Sequence, residues 1–182
     1  HQAFSAALFP DHPLGCDTAG TRDTVRATTA ADLAGFFAVT YYTGNTVVAV
    51  AGAVDPDDVV ERVAKAFVAM PERAGRLTSP PVTAAPGAGA LLDDDTEQTH
   101  IVVGGRALAR DDADREALDI VNHAFGGGLS SRLWDEIRER RGLAYSVASS
   151  LTAFSDTGAW SVYAGTMPEH ASAVADLLNT EL

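Results

Sequence analysis

A stretch rich in proline, glycine and alanine divides the chain near its middle. Residues 77–90 combine three prolines with two glycines and show no hydrophobic periodicity. Such a composition is typical of a linker that stays extended around its prolines. The chain has 182 residues, which is enough for one ordinary domain or two small ones. The sequence therefore predicts two structured parts on either side of this segment.

Helix signals flank a β-branched run in the first half. Thr29 precedes an apolar pattern and Asp32 follows three residues later, which predicts a helix that begins with a capping box. Residues 45–54 are rich in valine and predict a strand buried on both faces. Asp55 followed by Pro56 and further acids predicts the start of a second helix.

The second half mixes strands and helices without strict alternation. Its predicted elements are a strand over 100–107, a helix capped by Asp111 or Asp112 and ended by Gly126, Gly127 and Gly128, a helix capped by Ser130 or Ser131 and ended by Gly142, a hairpin of strands 145–151 and 159–164, and a last helix opened by a capping box at residues 166–169. The sequence therefore predicts an α+β fold, with helices packed on one face of largely antiparallel sheets.

Charge and hydropathy exclude two classes of partner. The formal net charge is -12, and a chain this acidic repels nucleic acid and anionic membranes, which need clustered basic residues. No apolar run approaches the roughly 20 residues that a membrane span needs. We therefore expect no nucleic-acid partner and no membrane partner.

Cysteine usage and the two ends of the chain give further expectations. Cys16 is the only cysteine, so an internal disulfide and a cysteine-based metal cluster are excluded. This usage suits a reducing compartment, and we expect a cytoplasmic protein. The chain begins at His1 and ends at Leu182 inside a predicted helix, so the natural protein is expected to be longer.

Motifs judged on their residues alone give no active site. No two of the five histidines stand four residues apart, as a zinc-binding helix requires. Gly126, Gly127 and Gly128 lack the lysine of a phosphate-binding loop, which leaves a helix stop or close backbone approach to a ligand open. Arg138 is typical of a solvated helix face, and Tyr145 of ordinary strand packing.

A longer pattern changes this interpretation. Residues 126–147 read GGGLSSRLWDEIRERRGLAYSV and closely resemble the signature of the pitrilysin/insulinase/processing-peptidase family, in particular its bacterial processing-peptidase-like branch. HPLG at residues 12–15 and YTGN at 42–45 fit the same family. The resemblance implies parts of two similar lobes: residues 1–76 as the back of the first, 77–90 as the interlobe linker and 91–182 as the front of the second.

The same resemblance implies an activity. Members hydrolyse unfolded peptides with zinc held by an inverted His-x-x-Glu-His motif, which would lie in a missing N-terminal part, so no zinc is expected in this chain. Tyr145 would stabilise the oxyanion, and Arg138 would hold the substrate backbone or the tyrosine itself. Gly126, Gly127 and Gly128 align with the flank of a substrate-binding loop. The chain alone is expected to be inactive.

Two alternatives stay open at this point. The chain could belong to a non-catalytic partner subunit that complements a zinc-bearing peptidase chain, or to a structural relative of the core subunits of a respiratory complex. Intact Arg138 and Tyr145 argue against the second. The expected partners are a peptide substrate and the remainder of the peptidase or a partner subunit, with self-association through uncovered sheet edges.

Overall fold

The chain forms two compact units in a computed structural model that describes residues 1–87 and 89–181. Ala88, inside the predicted linker, and Leu182, at the predicted cut, lie outside the described residues. One unit, here called the sheet unit, combines residues 1–18 with the part of the chain from residue 81 onward, and the helical unit covers residues 19–80. The assignment of the chain to two peptidase lobes stays a prediction.

Three antiparallel strands form the sheet of the sheet unit. They are β1 (Thr99–Ala107), β2 (Ala144–Ala153) and β3 (Gly158–Thr166), in the order β1-β3-β2. Val162 of the central strand pairs with Val103 on one side and with Ser149 on the other. The predicted hairpin and the predicted strand over 100–107 are thereby confirmed.

The sheet unit contains α1 (Gln2–Leu8), α5 (Arg115–Gly126), a π-helix (Trp134–Glu139) and α6 (Ala171–Glu181). The last three of these cover one face of the sheet. α1 contacts the other face, where Arg106 of β1 donates to the Leu8 carbonyl at 3.2 Å. The buried core of the sheet unit comprises Leu133, Ile137, Ala144, Val147, Val162, Ala164, Val174 and Leu178. Alternate strand residues share a face, so Val147, Val162 and Ala164 face the helices together. The predicted α+β fold with helices on an antiparallel sheet is confirmed.

The helical unit contains α2 (Arg22–Ala27), α3 (Ala30–Thr40) and α4 (Pro56–Ala66). The Thr29 side chain accepts a bond from the Asp32 amide, and the Asp32 carboxylate accepts one from the Thr29 amide at 2.8 Å, so the predicted capping box is confirmed. The Asp55 carboxylate caps α4 by accepting from two amides of its first turn. Of the helices in the described residues, none is long and apolar enough to cross a membrane.

The strand predicted over residues 45–54 is wrong. A short 3-10 turn, Thr43–Asn45, is followed by irregular backbone up to α4, and Val47 is 77% exposed. β-branched residues favour a strand only where a neighbouring strand completes the hydrogen-bond ladder. The described residues of the helical unit offer helices and loops instead.

Three predicted helix caps also differ from the structure. α5 begins at Arg115, and Asp112 instead accepts a hydrogen bond from the Asp114 amide. Thr166 opens no capping box, because its hydroxyl donates to the Leu143 carbonyl and a 3-10 turn precedes α6. The helix predicted after Ser130 or Ser131 does begin there, because the Asp135 amide donates to the Ser131 carbonyl at 3.0 Å. The buried Ser131 hydroxyl, however, has no hydrogen-bond partner among the described residues and does not cap the helix. Short polar side chains have several backbone partners within reach, which a linear pattern does not rank.

Candidate functional site

Arg138 and Tyr145, seven residues apart in the sequence, lie against each other in the structure. The Arg138 guanidinium carbon is 4.8 Å from the centre of the Tyr145 ring. Arg138 is half-buried on the π-helix, whereas Tyr145 is 76% exposed at the start of β2. The structure therefore presents a cation and a phenol together at the surface of the sheet unit.

A β-bulge places Tyr145 at this surface. Ala144 pairs with Thr166, but the next pair joins Ser146 to Gly165, so Tyr145 is the extra residue in its strand. A bulged residue leaves the regular ladder and bends the strand, which changes the direction of its side chain. The buried Ala144 holds the strand in the core, while Tyr145 points outward beside Arg138.

A widened helical turn positions Arg138. The Arg140 amide donates to the Asp135 carbonyl at 2.9 Å, five residues back, which is the π register. The turn ends as predicted at Gly142, whose φ of +62° is a left-handed conformation that suits glycine. The predicted α-helix is thus a π-helix here, and such turns occur frequently at functional sites.

Arg138 differs from its neighbours in its partners. Arg140 forms an ion pair with Asp135 at 2.8 Å, and both Arg140 and Arg141 form ion pairs with Glu136. Among the described residues, the Arg138 guanidinium has no carboxylate or hydrogen-bond partner, although the chain carries 25 acidic residues. Its contacts are with aromatic rings, so its N–H donors are available to a ligand.

A surface groove runs past this pair. It has a volume of about 400 Å³ and is lined by Arg138 and Tyr145 together with Gln98 and His170. The lining therefore combines a cation, a phenol, an amide and an imidazole, all of which can donate hydrogen bonds. The arrangement can bind carbonyl or carboxylate oxygens of an extended ligand.

Charge fixes the end of the π-helix. A hydrogen bond from Arg141 lowers the pKa of Glu136, and the charge of Arg140 acts in the same direction against the opposing effect of burial. Arg141 also donates to the Glu136 carbonyl at 2.8 Å. This cluster holds the chain between the turn and the strand, and its carboxylates leave the third arginine, Arg138, without an ion pair among the described residues.

The three glycines lie at the end of α5, and the described residues that line the groove include none of them. A Cβ on Gly126 would stand 2.6 Å from the Ser149 hydroxyl oxygen of β2, and one on Gly127 would stand 2.7 Å from the His123 Cα. At Gly126 helix and sheet approach so closely that a larger residue would clash, and at Gly127 the clash would be with the last turn of α5 itself. Only Gly128 has ordinary space, 3.5 Å to the nearest atom. Their role in substrate binding stays a prediction.

Metal ligands do not come together in the part of the chain that the structure describes. Within residues 1–87 and 89–181, no group of three or more histidine, cysteine, aspartate or glutamate side chains is arranged to hold a metal ion. A zinc site needs three or four such ligands around one point. The described residues therefore do not fit a zinc ion.

Two further residues of the site, Trp134 and His170, were not predicted from the sequence. The ring centre of Trp134 lies 4.0 Å from the Arg138 guanidinium carbon. His170 lines the groove. The spacing of four residues between Trp134 and Arg138 is the signal that could have paired them. His170 is brought to the groove by tertiary folding alone.

The chain is similar to curated relatives over nearly its whole length. A protein named an uncharacterized zinc protease in Streptomyces coelicolor is 41% identical over 193 residues, covering 100% of the chain and 41% of the relative. One of the same description in Mycobacterium leprae is 44% identical over 185 residues, covering 98% of the chain and 41% of the relative. The chain thus spans about two fifths of these relatives.

Solved structures share the fold. The peptidase M16 inactive domain from Pseudomonas fluorescens matches with a TM-score of 0.85 at 25% identity, over 99% of the chain and 44% of that structure. Complex III2 from Candida albicans matches with a TM-score of 0.67 at 21% identity, over 91% of the chain and 41% of that structure, and shows the fold alone. The family model described as Peptidase M16 inactive domain matches residues 27–182. The predicted family resemblance is confirmed: the chain belongs to the Peptidase M16 inactive domain family.

Proposed function

We propose that the complete polypeptide containing this chain is a zinc-dependent metalloendopeptidase that hydrolyses unfolded peptides. This chain would supply residues that bind substrate and stabilise charge. The observation that carries the proposal is the contact of Arg138 with Tyr145 at 4.8 Å along one groove. Family membership and relatives named as zinc proteases support it.

The chemistry follows from the charge that develops during peptide hydrolysis. Attack on the scissile carbonyl converts its oxygen to an oxyanion, which attracts donors and cations more strongly than the ground state does. The Tyr145 hydroxyl would donate to that oxygen. Arg138, with its N–H donors uncommitted among the described residues, would hold an adjacent carbonyl and add positive charge.

Zinc has no ligand set in the described residues, so in this proposal another part of the polypeptide holds it. The relatives' names favour a peptidase over a non-catalytic partner subunit. The glycine segment could contribute through Gly128, the one glycine of the three that meets no close contact.

The test is Tyr145→Phe in the complete polypeptide, assayed on a fluorogenic unfolded peptide. Loss of one oxyanion donor lowers kcat about 100-fold or more, while zinc content, measured by elemental analysis, stays unchanged. Tyr41→Phe is the matched control, because Tyr41 stacks on Phe37 in the helical unit. Full retained activity in Tyr145→Phe would refute the proposed role.

A further inference from the structure

We propose that Trp134 is a positioning residue, which holds Arg138 beside Tyr145 through the face of its indole and is itself fixed by Glu139. The inference rests on the function proposed above, because the position of Arg138 matters only if Arg138 acts on a ligand. Nothing in the family match or in the relatives' names assigns a role to Trp134.

The Arg138 guanidinium lies against two aromatic rings. Its guanidinium carbon lies 4.0 Å from the Trp134 ring centre and 4.8 Å from the Tyr145 ring centre. Both distances are within the range of a cation–π contact, and the shorter one involves tryptophan, the aromatic side chain that attracts cations most strongly. Trp134 is therefore the closer of the two restraints on the guanidinium.

An aromatic ring restrains an arginine side chain differently from a carboxylate. A carboxylate would restrain Arg138 by occupying its N–H donors, as Glu136 does for Arg141. An aromatic ring contacts the flat face of a guanidinium and leaves the donors at its edge available. Trp134 can thus restrict the rotamers of a long side chain without removing its capacity to bind carbonyl oxygens.

The π-helical turn places Trp134 and Glu139 on the same side, so that Glu139 can fix the indole ring. The Trp134 indole N–H donates to the Glu139 carboxylate at 3.1 Å, between residues five apart. In an α-helix, residues five apart point about 140° away from each other. The i→i+5 register brings them to one side. The same turn that carries Arg138 therefore also fixes the ring against which Arg138 lies.

Trp134 also packs, half-buried, against the buried core of the sheet unit. A large truncation therefore lowers stability whatever the ring does for Arg138. The experiment must separate loss of folding from loss of positioning, and it must separate both from failure of the proposed peptidase.

The test compares Trp134→Leu, which removes the aromatic face, with Trp134→Phe, which keeps a face and loses the N–H bond. Both are made in the complete polypeptide and assayed for kcat, KM and Tm on a fluorogenic unfolded peptide. We expect Trp134→Leu to lower kcat about tenfold and Trp134→Phe to keep it within about threefold. Trp160→Phe is the matched control, because it removes the indole bond to Asn122 at 2.9 Å elsewhere on the sheet. We expect Trp160→Phe to lower Tm and to leave kcat unchanged.

A double-mutant cycle shows whether Trp134 acts through Arg138. In an Arg138→Ala background, Trp134→Leu should cause no further loss of kcat, because the side chain that it positions is already gone. An equal further loss in that background, or a fall in Tm with kcat unchanged, overturns the inference. If Arg138→Ala and Tyr145→Phe themselves leave kcat intact, the proposed function has failed. If they lower kcat and Trp134→Leu does not, the positioning role alone has failed.

Discussion

Similar apolar sequence forms buried, paired strands in the sheet unit and exposed, irregular backbone in the helical unit. In the sheet unit, strands β2 and β3 pair along their length and bury Val147 and Val162 almost completely. In the helical unit, a comparable run of valines pairs with no strand among the described residues, and Val47 is 77% exposed. Apolar, β-branched composition is thus insufficient for a strand, because the ladder needs a partner.

The two units should differ most in the stability that is lost when one apolar side chain is truncated in each. Ile137 is fully buried in the sheet unit, whereas Phe36 of α3 is 62% exposed. Ile137→Ala should lower the free energy of unfolding by about 2–5 kcal/mol, since it leaves a cavity. Phe36→Ala should change it by less than about 0.5 kcal/mol.

Urea denaturation of the purified chain, followed by native-state hydrogen exchange, measures the two effects unit by unit. Equal losses would mean that Phe36 is covered in solution, for example by the predicted self-association, which stays a prediction. Sedimentation velocity at several concentrations distinguishes that outcome from a stable monomer.

The contrast also shows how far the sequence could predict the fold. Glycines, caps and alternation are local signals, and they located the hairpin, α4 and the end of α5 at Gly126. The run over 45–54 carried equally good local signals and forms no strand, because pairing is not a local property. Phe36, within the apolar pattern that follows Thr29, is likewise exposed, because burial also depends on a partner surface.

Prediction of the candidate site divides along a similar line. Arg138 and Tyr145 were found by resemblance, since their periodicity alone was that of an ordinary helix face and strand. The π register of Trp134 with Glu139 has no counterpart in an apolar period of 3.6 residues. The bulge at Tyr145 depends on the register with β3, which is set across the sheet and not along the chain.

The next largest change in the free energy of unfolding is expected from a matched pair of glycine substitutions, one in each unit. Gly126→Ala places a Cβ 2.6 Å from Ser149 and should lower the free energy of unfolding by roughly 1–3 kcal/mol. The new Cβ in Gly35→Ala, within α3, meets no atom of the described residues within 4 Å, and the substitution should raise the free energy of unfolding by about 0.4–1 kcal/mol. Thermal unfolding of both variants checks the opposite signs.

Destabilisation by both glycine variants would contradict the open surroundings of Gly35. Gly128→Ala belongs beside them, because its new Cβ makes only ordinary contacts. It should leave Tm nearly unchanged, so an increased KM in the complete polypeptide would support the proposed substrate role of this glycine.

Two hydroxyl deletions test the caps. The Thr29 hydroxyl accepts from the Asp32 amide, and Thr29→Ala should cost about 1 kcal/mol of stability. Ser131 is buried without a hydrogen-bond partner among the described residues, so Ser131→Ala should be neutral or slightly stabilising. Denaturant midpoints of the two variants, measured side by side, show whether Thr29→Ala alone lowers stability. A clear loss of stability in Ser131→Ala would reveal a hydrogen-bond partner for that hydroxyl.

The smallest effect is expected from titrating one carboxylate in each unit. Bonds from Arg141 lower the pKa of Glu136, and bonds from the Thr29 side chain and backbone lower that of Asp32. A folded-state pKa below the unfolded one means that the unfolded chain binds protons more readily. Each group thus stabilises the fold fully above its unfolded pKa, and this contribution is lost as the pH falls through the lowered folded pKa. Glu136→Gln and Asp32→Asn should each reduce the acid dependence of the denaturant midpoint between about pH 5 and 3, whereas an unchanged slope in Glu136→Gln would show that its arginine contacts are lost in solution.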